Sequence, residues 1–363
     1  MNSLFTPITI GDLELPNRMV MAPLTRGRAG ASRTPNDMMV EYYRQRAAAG
    51  LIISEATQIS PQGAGWDESP GIHEPAHVRG WERVTDAVHA EGGRIFLQLW
   101  HTGRASHPDF HNGELAVAPS AIAISGDEIH TPQEKKSHVA PRALETIEIP
   151  GVVQQYVTAT KLAQDAGFDG VEIHGANGYL IDQFLRDGSN QRTDKYGGTI
   201  ENRARFLLEV TEAVVGAWSS ARVGLRISPT SNFNDQRDSD PKALFPYVAE
   251  QLNRFGLAYL HVLEAWPGHM LAMPGPRITP AIRKAFRGPL MVNGGYTREL
   301  GGQAIDHGDA DLIAYGVPFL ANADLVERFR TDAPLNAPDF ATFYAKGPKG
   351  YNDYPTLAEA AHA

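Results

Sequence analysis

Residues 171–202 read V-E-I-H-G-A-N-G-Y-L-I-D-Q-F-L-R-D-G-S-N-Q-R-T-D-K-Y-G-G-T-I-E-N, and in them polar groups with chemical uses follow directly on a buried-strand pattern. Asp169 to Ile173 alternates into an apolar, β-forming run, and His174, Asn177 and Tyr179 come immediately after its carboxyl end. If a helical turn starts there, His174 and Asn177 share a face and offer two hydrogen-bond donors to one oxygen atom of a ligand. The bland alternative is that the pair caps the following helix.

The strand belongs to a series. Short apolar runs rich in β-branched residues recur at 19–22, 51–56, 94–99, 170–173, 223–227, 259–263, 290–292 and 311–314. Between most of them, apolar residues three and four apart predict helices at 78–90, 152–166, 200–217, 243–255 and 300–307. Gly92, Gly167 and Gly256 stand where such helices can stop in the left-handed conformation. Eight βα alternations with strands apolar on both faces favour a closed parallel barrel, so the α/β reading is a single (β/α)8 TIM barrel domain spanning residues 1–363. Residues 101–145 break the rhythm and predict a lid insertion after strand 3. Its His101, His107, His111, His130 and His138 lack regular metal-ligand spacing, which argues for solvated side chains and no metal. Residues 333–363 read as a carboxyl-terminal extension.

Composition narrows the function. A hydrophobic share of 42% with 21% charged residues suits a chain able to bury a large core. The formal charge of −9 and the lack of a basic stripe argue against a nucleic-acid partner. No cysteine is present, which excludes disulfides, thiolate metal sites and cysteine nucleophiles, so redox work must use a bound cofactor. The amino terminus carries no signal-like pattern and no apolar run reaches bilayer length, so a cytoplasmic protein without membrane partners is the expectation.

In a βα barrel the chemistry sits at the carboxyl ends of the strands. There the first strand is followed by Pro23, Leu24 and Thr25, the second by Glu55 and Ala56, and the third carries Gln98 and Trp100. The fifth holds Arg226, where a buried guanidinium needs an anionic or strongly polar partner. Gly294, Gly295 and Gly316 follow the last two strands, the usual phosphate position of such barrels, although a structural turn explains a lone glycine pair as well. One cation, amide-bearing side chains, a hydroxyl and a phosphate cradle suit a flat heteroaromatic ring with a phosphate tail, such as flavin mononucleotide (FMN).

The segments A-P-L-T-R (22–26), S-E-A-T (54–57), L-Q-L-W-H-T-G-R (97–104), H-G-A-N-G-Y-L (174–180), D-K-Y-G-G-T-I-E-N-R (194–203) and G-Y-N-D-Y-P (350–355) resemble the Old Yellow Enzyme family of FMN-dependent ene-reductases. The resemblance implies that Thr25 bonds the flavin near O4, in the branch that uses no thiol there. It implies that Ala56 and Gln98 approach the pyrimidine edge and that Arg226 sits beside N1 and C2=O. His174 and Asn177 would bind the oxygen of an activated alkene, Tyr179 would donate the proton, and Trp66, Trp100 and Tyr351 would line the substrate cavity. NADPH or NADH would be the reductant, small activated alkenes the partners, and the protein a monomer or homodimer. One position departs from the family pattern: Val317 stands where an arginine usually holds the phosphate, and Arg298 is the candidate substitute. Two other readings stay open, a nonflavin barrel enzyme acting on sugar phosphates and a flavin-binding protein without efficient turnover. No lysine or carboxylate cluster at a strand end supports the first; the family residues at 174, 177, 179 and 226 oppose the second.

Overall fold

The structure is a computed structural model that describes residues 3–360. Eight parallel strands close a barrel: β1 Met19–Met21, β2 Leu51–Ile53, β3 Ile95–Trp100, β4 Gly170–His174, β5 Val223–Ile227, β6 Tyr259–Leu263, β7 Leu290–Asn293 and β8 Leu312–Tyr315. Closure is made by β8 against β1 on one side and β3 against β4 on the other. The intervening helices include Pro75–Ala90, Ile149–Asp165, Ile200–Ala217, Pro241–Leu252 and Arg298–Asp306. Gly92, Gly167 and Gly256 do adopt positive φ at the stops assigned to them.

Strand parity sorts the barrel into two cores. Val171, Ile173, Leu225, Leu260, Val262, Leu290 and Val292 face outward and pack with the helices. Val20, Leu51, Ile53, Phe96, Tyr259, Met291, Leu312 and Ala314 form a separate inner cluster. The aromatic rings of that cluster need room, and Gly224 supplies it, since a Cβ there would sit 2.2 Å from the Tyr259 ring. A hairpin absent from the sequence reading, Ile8–Ile10 with Leu13–Leu15, turns at Gly11 and adds Ile10, Leu13 and Leu15 to the inner cluster. The inner face is therefore apolar toward the amino ends of the strands and polar toward the carboxyl ends, where Gln98, Glu172, His174, Arg226, His261 and Asn293 are buried.

Two segments outside the barrel are bound to it by arginines. In the 101–145 insertion, Arg104 donates to the carbonyls of Ile122, Asn234 and Asp235 at 3.3, 3.2 and 2.9 Å, fastening the loop that follows β5. After β1, Arg26 donates to the carbonyls of Phe343 and Gly350, and Arg28 to those of Thr342, Phe343 and Gly347, all at 2.7–3.1 Å. Hydrogen bonds from charged donors contribute about 1.5–3 kcal/mol each, so these bonds fasten the carboxyl-terminal segment to the barrel. No helix among the described residues is long and apolar enough to cross a membrane.

The expectation of solvated histidines in the insertion fails for His101 and His107, which are buried; His130 alone is exposed. The β3 strand runs straight into residues 101–107, so their side chains are packed before the chain reaches the surface. The backbone N–H of Gly103 donates to His101 Nδ1, and burial, with His111 nearby, lowers the His101 pKa to about 3. An unfolded histidine titrates near 6.5, so below that value the unfolded chain takes up a proton that the folded one refuses. Stability from this group is complete above about pH 6.5 and falls as the pH drops toward the folded value, by roughly 2 kcal/mol at pH 5. Urea unfolding at pH 7 and pH 5 should show this loss, and His101→Gln should diminish it; the same loss in the variant assigns it elsewhere.

Candidate active site

A cavity of about 440 Å³ opens where the barrel strands end. Its floor is formed by Gln98, His174, Arg226, Leu263 and Asn293 from the strands, with Pro23, Leu24, Thr25 and Ala56 from the loops after β1 and β2. Arg226 donates through one terminal nitrogen to Asn293 Oδ1 at 2.9 Å, and Asn293 in turn donates to the Ala314 carbonyl at 2.7 Å. Arg226 Nε is buried without a partner. Burial lowers the Arg226 pKa while the charge of Glu172 opposes that shift. The lining residues include this one cation and no carboxylate, so the cavity favours a ligand that is, or becomes, negatively charged.

His174 and Asn177 meet, but not on a helical turn. The helix begins at Leu180, capped by Tyr179 without a side-chain bond, so neither residue caps it either. Asn177 instead adopts φ +58°, a conformation that asparagine tolerates better than most residues. Its N–H donates to Ser228 Oγ at 2.8 Å and its carbonyl accepts from Asn234 Nδ2 at 2.9 Å. The left-handed turn reverses the chain and brings Asn177 to the cavity lined by His174. The Ala176 N–H approaches His174 Nδ1 at 3.3 Å, which makes that nitrogen the acceptor and leaves the proton on Nε2. Burial first, then the charge of Arg226, hold the His174 pKa well below its ordinary value, so the ring is neutral and a single-proton donor. Tyr179 packs edge-on to both His174 and Trp100, with centroids 5.0 Å apart in each case, and burial raises its pKa.

The walls come from segments that the sequence reading passed over. Thr230 to Phe233 follow β5, Ala265, Met270, Leu271 and Met273 follow β6, and Tyr344 arrives from the carboxyl-terminal segment. Trp66 lines the cavity with its ring 5.1 Å from that of Tyr344. No residue of 101–145 lines it, so the insertion bears on the cavity indirectly: Arg104 and Ser125 fasten residues 234 and 235, and the carbonyls of His101 and Thr102 accept from Leu180 N–H and Gln183 Nε2. Trp100 and Tyr351, expected in the substrate cavity, also lie off it. Trp100 is fully buried behind Tyr179. Tyr351 stacks on Tyr42 at 4.0 Å with Arg26 and Arg28 over its ring at 5.0 and 4.5 Å, an anchor for the terminal segment. Signals for Glu172 and His261 were available: both share the inward parity of His174 and Arg226 in strands otherwise apolar.

Gly294, Gly295 and Gly316 do not line the cavity. Gly294, at φ +122°, lets the loop after β7 approach Ala265, whose Cα would be 2.8 Å from an added Cβ. Gly316 precedes the short helix Val317–Ala321 and lies beside Leu24. Arg298, the candidate substitute for the missing arginine, pairs with Asp332 at 3.3 Å and Glu299 at 3.7 Å, and its Nε is buried without a partner.

A parallel barrel whose mouth gathers a cation, a neutral imidazole, an amide and a phenol suits a flavin oxidoreductase. The family model of the NADH:flavin oxidoreductase / NADH oxidase family matches residues 3–336, and the chain belongs to that family. It is 46% identical, over 97% of its length and 96% of the relative's, to a probable flavin mononucleotide-dependent alkene reductase of Leishmania infantum. The old yellow enzyme homologue of Zymomonas mobilis superposes with a TM-score of 0.96 at 46% identity, covering 98% of this chain and 100% of that one. Morphinone reductase, solved in complex with tetrahydroNAD, superposes at 0.92 with 47% identity and 98% of each chain covered.

Val317 begins its short helix part-exposed, where an arginine side chain meets no packed core. A charge-assisted bond to a phosphate contributes about 1.5–3 kcal/mol, so Val317→Arg should lower the FMN dissociation constant by roughly tenfold to a hundredfold. Equal constants in flavin-fluorescence titrations of the two forms would place the phosphate away from residue 317.

Proposed function

We propose that this protein is an FMN-dependent ene-reductase in which His174 and Asn177 bind the substrate's carbonyl or nitro oxygen and Tyr179 supplies the proton. The residues present fit the cofactor: Arg226 has a buried Nε without a partner, and Thr25, Ala56 and Gln98 line the same cavity with polar and small groups. FMN bound here would supply a two-electron carrier between NADPH or NADH and the activated alkene. The observation that carries the reading is the convergence of a neutral His174, its proton on Nε2, with Asn177 on the one cavity that also holds Arg226.

The chain's own chemistry follows from charge. As the β-carbon gains a hydride, negative charge develops on the substrate oxygen, and two preorganised donors stabilise that charge more than the neutral ground state. Loss of one such donor typically costs about a hundredfold to a thousandfold in rate. An alkene without an electron-withdrawing group gains nothing from them. Tyr179, kept protonated by burial, can protonate the α-carbon, while Arg226 balances negative charge at the floor. Phe233, Met270, Leu271 and Met273 line the same cavity yet remain 37–79% exposed, so the mouth favours alkenes with an apolar body that covers them.

Anaerobic stopped-flow absorbance tests the reading. NADPH or NADH should bleach the flavin, and 2-cyclohexenone should restore it; bleaching without recovery overturns the substrate class, and a protein that binds no FMN overturns the cofactor. Tyr179→Phe should leave bleaching intact and slow recovery by about 10²–10⁴-fold. With His174 neutral and Tyr179 protonated, recovery in the unaltered enzyme should be independent of pH between about 6 and 9. A separate comparison tests the rim: Met270→Ser with Leu271→Ser should raise KM roughly tenfold for an enone bearing a long alkyl chain and leave 2-cyclohexenone unaffected.

A further inference from the structure

Glu172 is fully buried inside the barrel, and no step above uses it. Both of its oxygens are occupied: Oε1 accepts from Gln98 Nε2 at 2.7 Å, and Oε2 accepts from His261 Nδ1 at 2.9 Å. These bonds solvate the carboxylate without neutralising it, because Gln98 is an amide and burial lowers the His261 pKa, which keeps that ring neutral. A buried charge needs an opposite charge in reach. Arg226 is that charge. It lies on the neighbouring strand in register with His174 on one side and His261 on the other, and Glu172 stands two residues before His174, one layer deeper in the barrel. Among the described residues Arg226 makes no ion pair, and Glu172 is the carboxylate whose charge acts on it. The guanidinium is thus backed by a carboxylate and faces the cavity on its other side, which Gln98, held by the same carboxylate, also lines.

We infer that Glu172 is a positioning residue that sets the reduction potential of the flavin, by balancing Arg226 from behind and orienting Gln98 toward the same cavity. The inference rests on FMN occupying that cavity. A flavin that accepts a hydride gains two electrons and one proton, so its ring carries one more negative charge than before. A full, unopposed charge on Arg226 would hold the reduced ring strongly; Glu172 offsets part of that attraction and keeps the reduced flavin willing to part with its hydride. Removing the carboxylate charge therefore raises the potential.

The midpoint potential of the FMN-loaded enzyme, measured by anaerobic dye-coupled titration, tests this in two variants. Glu172→Gln preserves size but not charge, keeping one accepted hydrogen bond and meeting the other partner once His261 takes the tautomer whose Nδ1 accepts, and should bind reduced over oxidised flavin at least tenfold more strongly than the parent, a rise of about 30 mV for a two-electron couple. Glu172→Asp keeps the charge and should keep the parent potential. An unchanged potential in Glu172→Gln, or the same shift in both variants, overturns the inference while leaving the cofactor assignment intact. A parent protein that holds no FMN overturns both. Should Glu172→Gln fail to fold, the double variant Glu172→Gln with Arg226→Gln, in which both charges are gone, should recover the thermal stability that the single variant lost; no recovery also overturns charge balance as the role of Glu172.

Discussion

The structure depends on a cation buried in a barrel. Arg226 occupies an inward position of β5, in register with His174 on β4 and His261 on β6, and it is 4% exposed. Transfer of an isolated charge into such a site is prohibitive, so the neighbours on every side are committed to it. Asn293 accepts its hydrogen bond and passes the polarity on to the Ala314 carbonyl. Glu172 supplies an opposing charge from the layer beneath, and His261 and Gln98 hold that carboxylate. The layer below is apolar and packed around Phe96 and Tyr259, so the polar layer has no outlet except the mouth. A cavity with one cation and no acid in its lining is the outcome.

The same logic explains why loops far apart in sequence converge. Arginines do this work through backbone carbonyls rather than carboxylates. Arg104 grips the carbonyls of residues 234 and 235, and Arg26 and Arg28 grip those between 342 and 350. A guanidinium offers five donors in a rigid fork, so one side chain can fix two or three turns of irregular chain. Tyr344 reaches the cavity because its flanking carbonyls are held this way, and the Asn234 that supports Asn177 belongs to the loop that Arg104 fastens. The insertion after β3 thus bears on the site without lining it.

Much of this was legible in the sequence, and the exceptions have a common cause. The eight strands and their order could be read because buried parallel strands are continuous apolar runs, and the residues that follow each run fall at the mouth by topology alone. Period-two parity inside a strand also carried Glu172 and His261, whose polarity has no other reason in an inward position. What could not be read were contacts between segments distant in sequence. Tyr351 and Tyr344 are both aromatic residues of the terminal segment, and only the positions of Tyr42, Arg26 and Arg28 send one to an anchor and the other to the cavity. His101 and His107 are buried because their loop is packed against the barrel, which no local pattern announces.

The turn at Asn177 shows the limit most clearly. The H-x-x-N spacing suggests two donors on one helical face, and the donors do converge, yet by the opposite backbone hand. A right-handed turn satisfies its own N–H and carbonyl groups as it winds; a residue at φ +58° does not, and its peptide groups must be met from outside. Ser228 after β5 and Asn234 in the loop beyond it meet them. The orientation of the proposed oxygen-binding pair is therefore tied to two loops, those after β4 and β5, and through Arg104 to the insertion after β3. A donor held in this way loses little freedom when a substrate oxygen arrives, which is the condition for its hydrogen bond to be spent on charge that develops during the reaction.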